Sequence, residues 1–182
     1  TSSPIPTRRS LPPAGRRKMT QIHGGYIIST DLLPGQRVRK GQVLCKIQNP
    51  VFVDLQKDYL MTQAKAIFLS KDLERKEALL ESQGVSTQDW ERARSAYDEN
   101  QVMLAGWKAQ LRLIGIRAED LTVENIRSSI AMYAPFNRYV NNVHINPGQY
   151  VGPTDVLFEL IDLDHLHAHL EEYADQPGIL AQ

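Results

Sequence analysis

Two stretches of the chain, residues 24–47 and 137–160, repeat each other at a shift of 113 positions. The first reads GGYIISTDLLPGQRVRKGQVLCKI and the second NRYVNNVHINPGQYVGPTDVLFEL. Tyr26 falls on Tyr139, Pro34-Gly35-Gln36 on Pro147-Gly148-Gln149, Val38 on Val151, and Val43-Leu44 on Val156-Leu157. Ile27/Val140, Leu32/Ile145 and Ile47/Leu160 match in kind. Each copy is a pair of short apolar runs around a Pro-Gly turn, the pattern of two strands and their connection. An internal repeat of this kind predicts one small β-sandwich built from two similar halves.

Between the halves, residues 50–115 read as two long helices folded back on each other. Leu55, Tyr59, Thr62, Ala66, Leu69, Leu73, Lys76 and Leu80 follow alternating steps of four and three, and Lys76 is the one charge in the series. Trp90, Ala93, Tyr97, Asn100, Leu104, Trp107, Leu111 and Ile114 do the same. That is the spacing of a coiled-coil seam, and it predicts Leu69, Leu73, Leu104 and Leu111 facing inward. Asn49-Pro50 opens the first helix, Gly84 suits a left-handed residue that ends it, and Ser86 with Asp89 suits the start of the second. At 1.5 Å per residue, roughly 30 residues make an arm roughly 45 Å long.

Formal net charge is zero, which gives no sign of a nucleic-acid partner. Arg8, Arg9, Arg16, Arg17 and Lys18 read as a solvated basic group. No apolar run approaches the ~20 residues of a membrane span. Without a signal peptide or an initiator Met, the chain reads as an excised or processed piece. Cys45 is the single cysteine, so an internal disulfide is excluded, and it is expected to be a buried apolar residue. The segments expected are a lead-in over 1–18, a first half over 19–49, the arm over 50–115, a connector and second half over 116–161, and a last segment over 162–182 with a turn at 162–164 and a new strand from His165 to Tyr173. No Ser-His-Asp order, phosphate loop or other catalytic set emerges, so no enzyme activity is expected.

The half-motif DLLPGQRVRKGQVL, the helix opening IQNPVFVDLQKDYL, the second half YAPFNRYVNNVHINPGQYVGPTDVLFELIDLDHLH and the arm between them resemble the periplasmic adaptor subunits, or membrane fusion proteins, of tripartite RND efflux pumps. The resemblance runs over about residues 12–175 and is nearest in pattern to the heavy-metal cation branch. It implies a mixed β and α fold: a lipoyl-like sandwich, an inserted antiparallel coiled-coil hairpin, and the start of an incomplete β-barrel at 162–182, with a possible barrel edge in 1–18. It also implies a periplasmic location, held to the inner membrane through parts absent from this chain. The implied partners are an inner-membrane RND transporter, an outer-membrane channel and further copies of the adaptor in a ring.

At the hairpin tip, the family spacing of Arg, Leu and Ser falls on Arg75, Leu79 and Ser86, which implies channel docking there. Arg75 is a long donor for main-chain carbonyls, Leu79 an apolar knob, and Ser86 a hydroxyl beside the turn. Read without the family, they are a solvated charge, core filling and an N-cap.

His165-Leu166-His167-Ala168-His169 is the cluster with ligand chemistry. Alternate residues of a strand share a face, so His165 and His167 are the candidate metal pair, against local packing as the plainer reading. A lipoate or biotin carrier would need a lysine at the hairpin joining its halves, and here the whole arm stands in that place. No cofactor is expected. The function expected is an efflux adaptor for heavy-metal cations; a metal-delivery module or an adaptor for drug efflux or type I secretion are the alternatives.

Overall fold

Two reciprocal pairs of backbone hydrogen bonds show how the repeated segments meet. Gly35 N–H donates to Val140 C=O at 2.7 Å, and Val140 N–H donates to Gln36 C=O at 2.9 Å. One repeat further on, Gly148 N–H donates to Ile27 C=O at 2.7 Å, and Ile27 N–H donates to Gln149 C=O at 2.9 Å. The second pair is the first with the two halves exchanged, as an approximate two-fold axis requires.

The computed structural model describes residues 16–162. Its strands are β1 (Arg16–Met19), β2 (Gly25–Ser29), β3 (Arg37–Val38), β4 (Val43–Gln48), β5 (Ser129–Tyr133), β6 (Arg138–Val143), β7 (Tyr150–Val151) and β8 (Phe158–Ile161). Helices α1 (Pro50–Glu81) and α2 (Thr87–Leu113) lie between β4 and β5. One antiparallel sheet has the order β1-β8-β6-β3 and the other β5-β4-β2-β7. The short strand β3 completes the sheet of the second half, and β7 completes that of the first. Neither sheet is whole without the other half. His165 and His167, with the strand expected over 165–173, lie outside the described residues.

The repeated Pro-Gly-Gln triplet has a physical reason at each position. Proline presets the first corner, and Gly35 and Gly148 turn the second at φ of 87° and 84°, where a side chain would be strained. The Gln36 Oε1 then accepts from Leu33 N–H at 3.2 Å, and Gln149 Oε1 from Asn146 N–H at 3.1 Å. The repeat extends one strand beyond the segments matched by sequence. β1 and β5 are equivalent edge strands, and Met19 stands opposite Phe158 as Met132 stands opposite Cys45. Arg16–Met19 is therefore a strand of the sandwich rather than lead-in or barrel edge.

Ile27, Leu44, Ile47, Val38, Val140, Leu157 and Leu160 point between the sheets and are fully buried. Phe52, Leu55, Tyr59, Leu111, Ile114 and Ile116 from the foot of the arm belong to the same cluster. The arm is thus rooted in the sandwich core. Gln56, fully buried, fastens the root to the connector. Its Oε1 accepts from Arg127 N–H at 3.2 Å and its Nε2 donates to Arg127 C=O at 2.8 Å, so one amide satisfies both backbone groups of a residue that has left the helices. Asn49 caps α1 by accepting from Val51 N–H at 2.9 Å, and its own N–H donates to Ser128 C=O at 2.9 Å.

At 32 and 27 residues, the helices extend about 48 and 40 Å. Ala66, Leu69, Ala93, Asn100 and Leu111 are buried, while Leu73 and Leu104 are half-buried on the same seam. Setting the two heptad patterns antiparallel about the turn places Leu73 across from Tyr97, Leu69 from Asn100, Ala66 from Leu104, Thr62 from Trp107 and Tyr59 from Leu111. In the three middle layers a large residue faces a small or polar one, so those layers interlock. Lys76 reaches outward from the seam to Asp72 Oδ2 at 3.0 Å. The Asn100 amide is buried, and neither its Oδ1 nor its Nδ2 finds a hydrogen-bond partner among the described residues.

Two substitutions separate these roles in equilibrium urea unfolding. Gln56→Ala strands the Arg127 backbone and is expected to lower stability by about 1–3 kcal/mol. Asn100→Leu replaces an unpaired amide facing Leu69 with an apolar side chain of similar size, and is expected to raise stability by about 1 kcal/mol or more. A loss of stability in Asn100→Leu would show that the amide is satisfied in solution.

Candidate functional site

The far end of the arm is shaped by how α1 stops. Gln83 N–H donates to Leu80 C=O at 3.1 Å and Gly84 N–H to Leu79 C=O at 2.8 Å, the paired bonds of a Schellman ending. The left-handed residue of that ending is Gln83, at φ 60°, and not Gly84 as the sequence suggested. Gly84 has a different duty: a Cβ there would stand 3.2 Å from Leu79 Cδ2. The same ending at the foot of α2 uses Gly115, at φ 76°, with Ile116 N–H donating to Leu111 C=O at 2.9 Å. The tip therefore carries a non-glycine residue in a strained conformation, and the root does not.

Arg75 and Leu79 lie on the last two turns of α1, one turn apart. Arg75 is exposed and forms no ion pair with the described residues. Leu79 is 41% exposed, so it is not filling the seam. Ser86 is the N-cap of α2: its Oγ accepts from Asp89 N–H at 3.1 Å and donates to Asp89 Oδ2 at 2.6 Å. The donor and one acceptor site of that hydroxyl are in use locally, and Ser86 shapes the turn that presents the other two. The structure brings all three residues to one end of the arm. Sequence reasoning missed what leads to them. Met61 and Phe68 are 65% and 64% exposed and precede Arg75 at intervals of seven, so the three share one line along the hairpin flank. The signal was present in the heptad, one position off the seam.

Other chemistry is sparse. Burial pushes the Cys45 thiol up to about 12, so it is neither thiolate ligand nor nucleophile at neutral pH. Among the described residues, no three His, Cys, Asp or Glu side chains group to hold a metal ion. No helix among them is long and apolar enough to cross a membrane. An open cleft at the root is lined by Lys108, Arg112, Ile116, Arg117, Ala118 and Glu119. Lys108 approaches Glu119 at 3.9 Å and Arg117 approaches Asp120 at 3.3 Å, so much of its charge is matched internally.

No protein-family model matches the chain. Over 144 residues it is 27% identical to the cobalt-zinc-cadmium resistance protein CzcB of Cupriavidus metallidurans, covering 79% of this chain. The chain spans 27% of that relative's length. Among solved structures, ZneB from Cupriavidus metallidurans aligns with a TM-score of 0.61 at 24% identity, covering 83% of this chain and 62% of that one. The membrane fusion protein Spr0693 from Streptococcus pneumoniae R6 aligns at 0.51 and 13% identity, covering 81% of this chain and 61% of its own. Those two likenesses speak to the fold: a two-half sandwich with a long hairpin set into it. The chain is thus similar in sequence to CzcB, and in architecture to ZneB and to a membrane fusion protein.

Proposed function

We propose that the chain links an inner-membrane RND transporter to an outer-membrane channel, and that the hairpin tip is where it meets the channel. The observation that carries this reading is the arm itself. Its root is part of the sandwich core, and its tip exposes Arg75 and Leu79 at the greatest distance from that root. A strut of that length has no use inside a lone 182-residue chain. An adaptor of this kind works by contact and not by catalysis. Similarity to a protein named for cobalt, zinc and cadmium resistance supports heavy-metal cations as the exported class. The setting that follows is the periplasm, with neighbouring copies of the adaptor ringed around the conduit.

Arg75→Asp is expected to fold as wild type, because the side chain is exposed and unpaired among the described residues. Reversing a charge at an interface commonly costs about 2–5 kcal/mol. In cells challenged with zinc, cobalt or cadmium, the variant should lose export while its expression and far-UV circular dichroism stay normal. Lys57→Glu at the root is the control: its pair with Asp54, at 2.9 Å, is exposed to solvent and adds little to stability, so export should persist. Normal export by folded Arg75→Asp would remove the tip-docking assignment.

A further inference from the structure

The approximate two-fold axis equates two junctions at which the chain runs out of the sandwich. Asn49 follows β4, and Asp162 follows β8 at the same shift of 113 positions. At the first junction the arm departs, held by the Asn49 side chain. Its Nδ2 donates to Gly24 C=O, and its Oδ1 accepts from Val51 N–H. At the second junction the equivalent carbonyl is engaged from further off. Asn137 is the counterpart of Gly24, and its C=O accepts from Arg138 Nη1 at 3.0 Å. Arg138 Nη2 lies 3.0 Å from Asp162 Oδ2. One guanidinium thus joins the two residues whose counterparts are joined directly by the Asn49 amide.

We propose that Arg138 is a latch that fixes the direction in which the chain leaves the sandwich at Asp162, as Asn49 does for the arm. Four features favour that role over an ordinary surface pair. The Asp162 side chain is 11% exposed, so the pair is sheltered from the solvent that weakens exposed ones. The guanidinium is held on a second side, because Arg138 and Arg17 lie over the Phe136 ring at 5.5 and 5.6 Å. Arg17 belongs to β1, whose Arg16 stands opposite Ile161, so the strand beside the exit is tied into the same cluster. Asn137 is anchored in its turn, its Oδ1 accepting from Lys40 N–H at 2.8 Å. Arg138 Nε is buried and has no hydrogen-bond partner among the described residues, which leaves one more donor at this junction. The arm root could not use the same device. Gly25 is the counterpart of Arg138, and a Cβ there would stand 2.5 Å from Gln48 C=O. With both junctions held, the arm and the segment that departs at Asp162 keep one orientation relative to each other.

Pulsed electron-electron resonance on the whole chain tests it, with spin labels carried by Lys57→Cys on the arm and Asp164→Cys just past the junction. Cys45 is buried and takes no label. The latch predicts one narrow distance distribution in this labelled parent and a broad one after Arg138→Met, which removes the guanidinium but keeps an unbranched stem. Amide exchange on the unlabelled chain separates release of the junction from loss of the fold. In Arg138→Met, Ile161 and Asp162 should exchange about tenfold faster or more, with Ile47 and Gln48 of β4 unchanged. Asp162→Asn, which gives this junction the residue type of the arm root but removes the ion pair, should also broaden the distribution and serves if Arg138→Met fails to fold. A parent distribution that is already broad, or widths that neither variant changes, would overturn the proposal. So would equal acceleration of exchange in β4, which would mark Arg138 as a general contributor to stability. Those outcomes would leave the tip-docking assignment standing, since Arg75 lies on another part of the molecule.

Discussion

The exchange of β3 and β7 between the two halves is the constraint on which the rest of the structure depends. Each half contributes its short strand to the other half's sheet, through the bonds of Gly35 and Val140 and of Gly148 and Ile27. The halves therefore close on one another before either sheet is complete. That closure brings residues 49 and 128 together, where Asn49 N–H donates to Ser128 C=O, and so fixes the spacing of the arm's two roots. Loop-closure entropy grows only slowly with length. An insertion as long as the arm is tolerable there, provided its ends leave side by side, and an antiparallel hairpin satisfies that condition.

Burial then falls along the arm. Phe52, Gln56, Tyr59 and Leu111 are almost fully buried at the root, whereas Leu73 and Leu80 toward the tip are half-buried. The root is held by sandwich core and by the Gln56 amide; the tip is held by its own seam, by the Schellman ending and by the Ser86 cap. Local opening is easiest where few apolar contacts must break. The tip is thus the most adjustable part of the arm, while the direction in which the arm points is set by the root.

Much of this was legible in the sequence because two periods are written plainly into it. The Pro-Gly-Gln repeat disclosed the halves, and the alternating four-three steps disclosed the hairpin and its inward face. The first strand was read as a possible barrel edge and not as part of the repeat, although Met19 and Met132 obey the same shift, because Arg16, Arg17 and Lys18 at a sheet edge do not look like Ser129, Ile130 and Ala131. Gly84 was assigned the left-handed position because glycine bears it most readily, yet the hydrogen bonds put Gln83 there. The duties of Gln56 and Asn100 could not be read at all. A polar residue beside a seam announces neither the backbone group it satisfies nor the lack of one. The tip residues needed a family pattern to be noticed, since exposed Arg, Leu and Ser are ordinary on a helix.

The central proposal is that the chain meets an outer-membrane channel through the tip of its arm. A photo-crosslinking amino acid placed at Leu79, and separately at Lys57, in cells that express the protein measures this contact directly. The account predicts an outer-membrane protein captured from position 79 and not from position 57. Capture of the same protein from both positions, or from 57 alone, would contradict it.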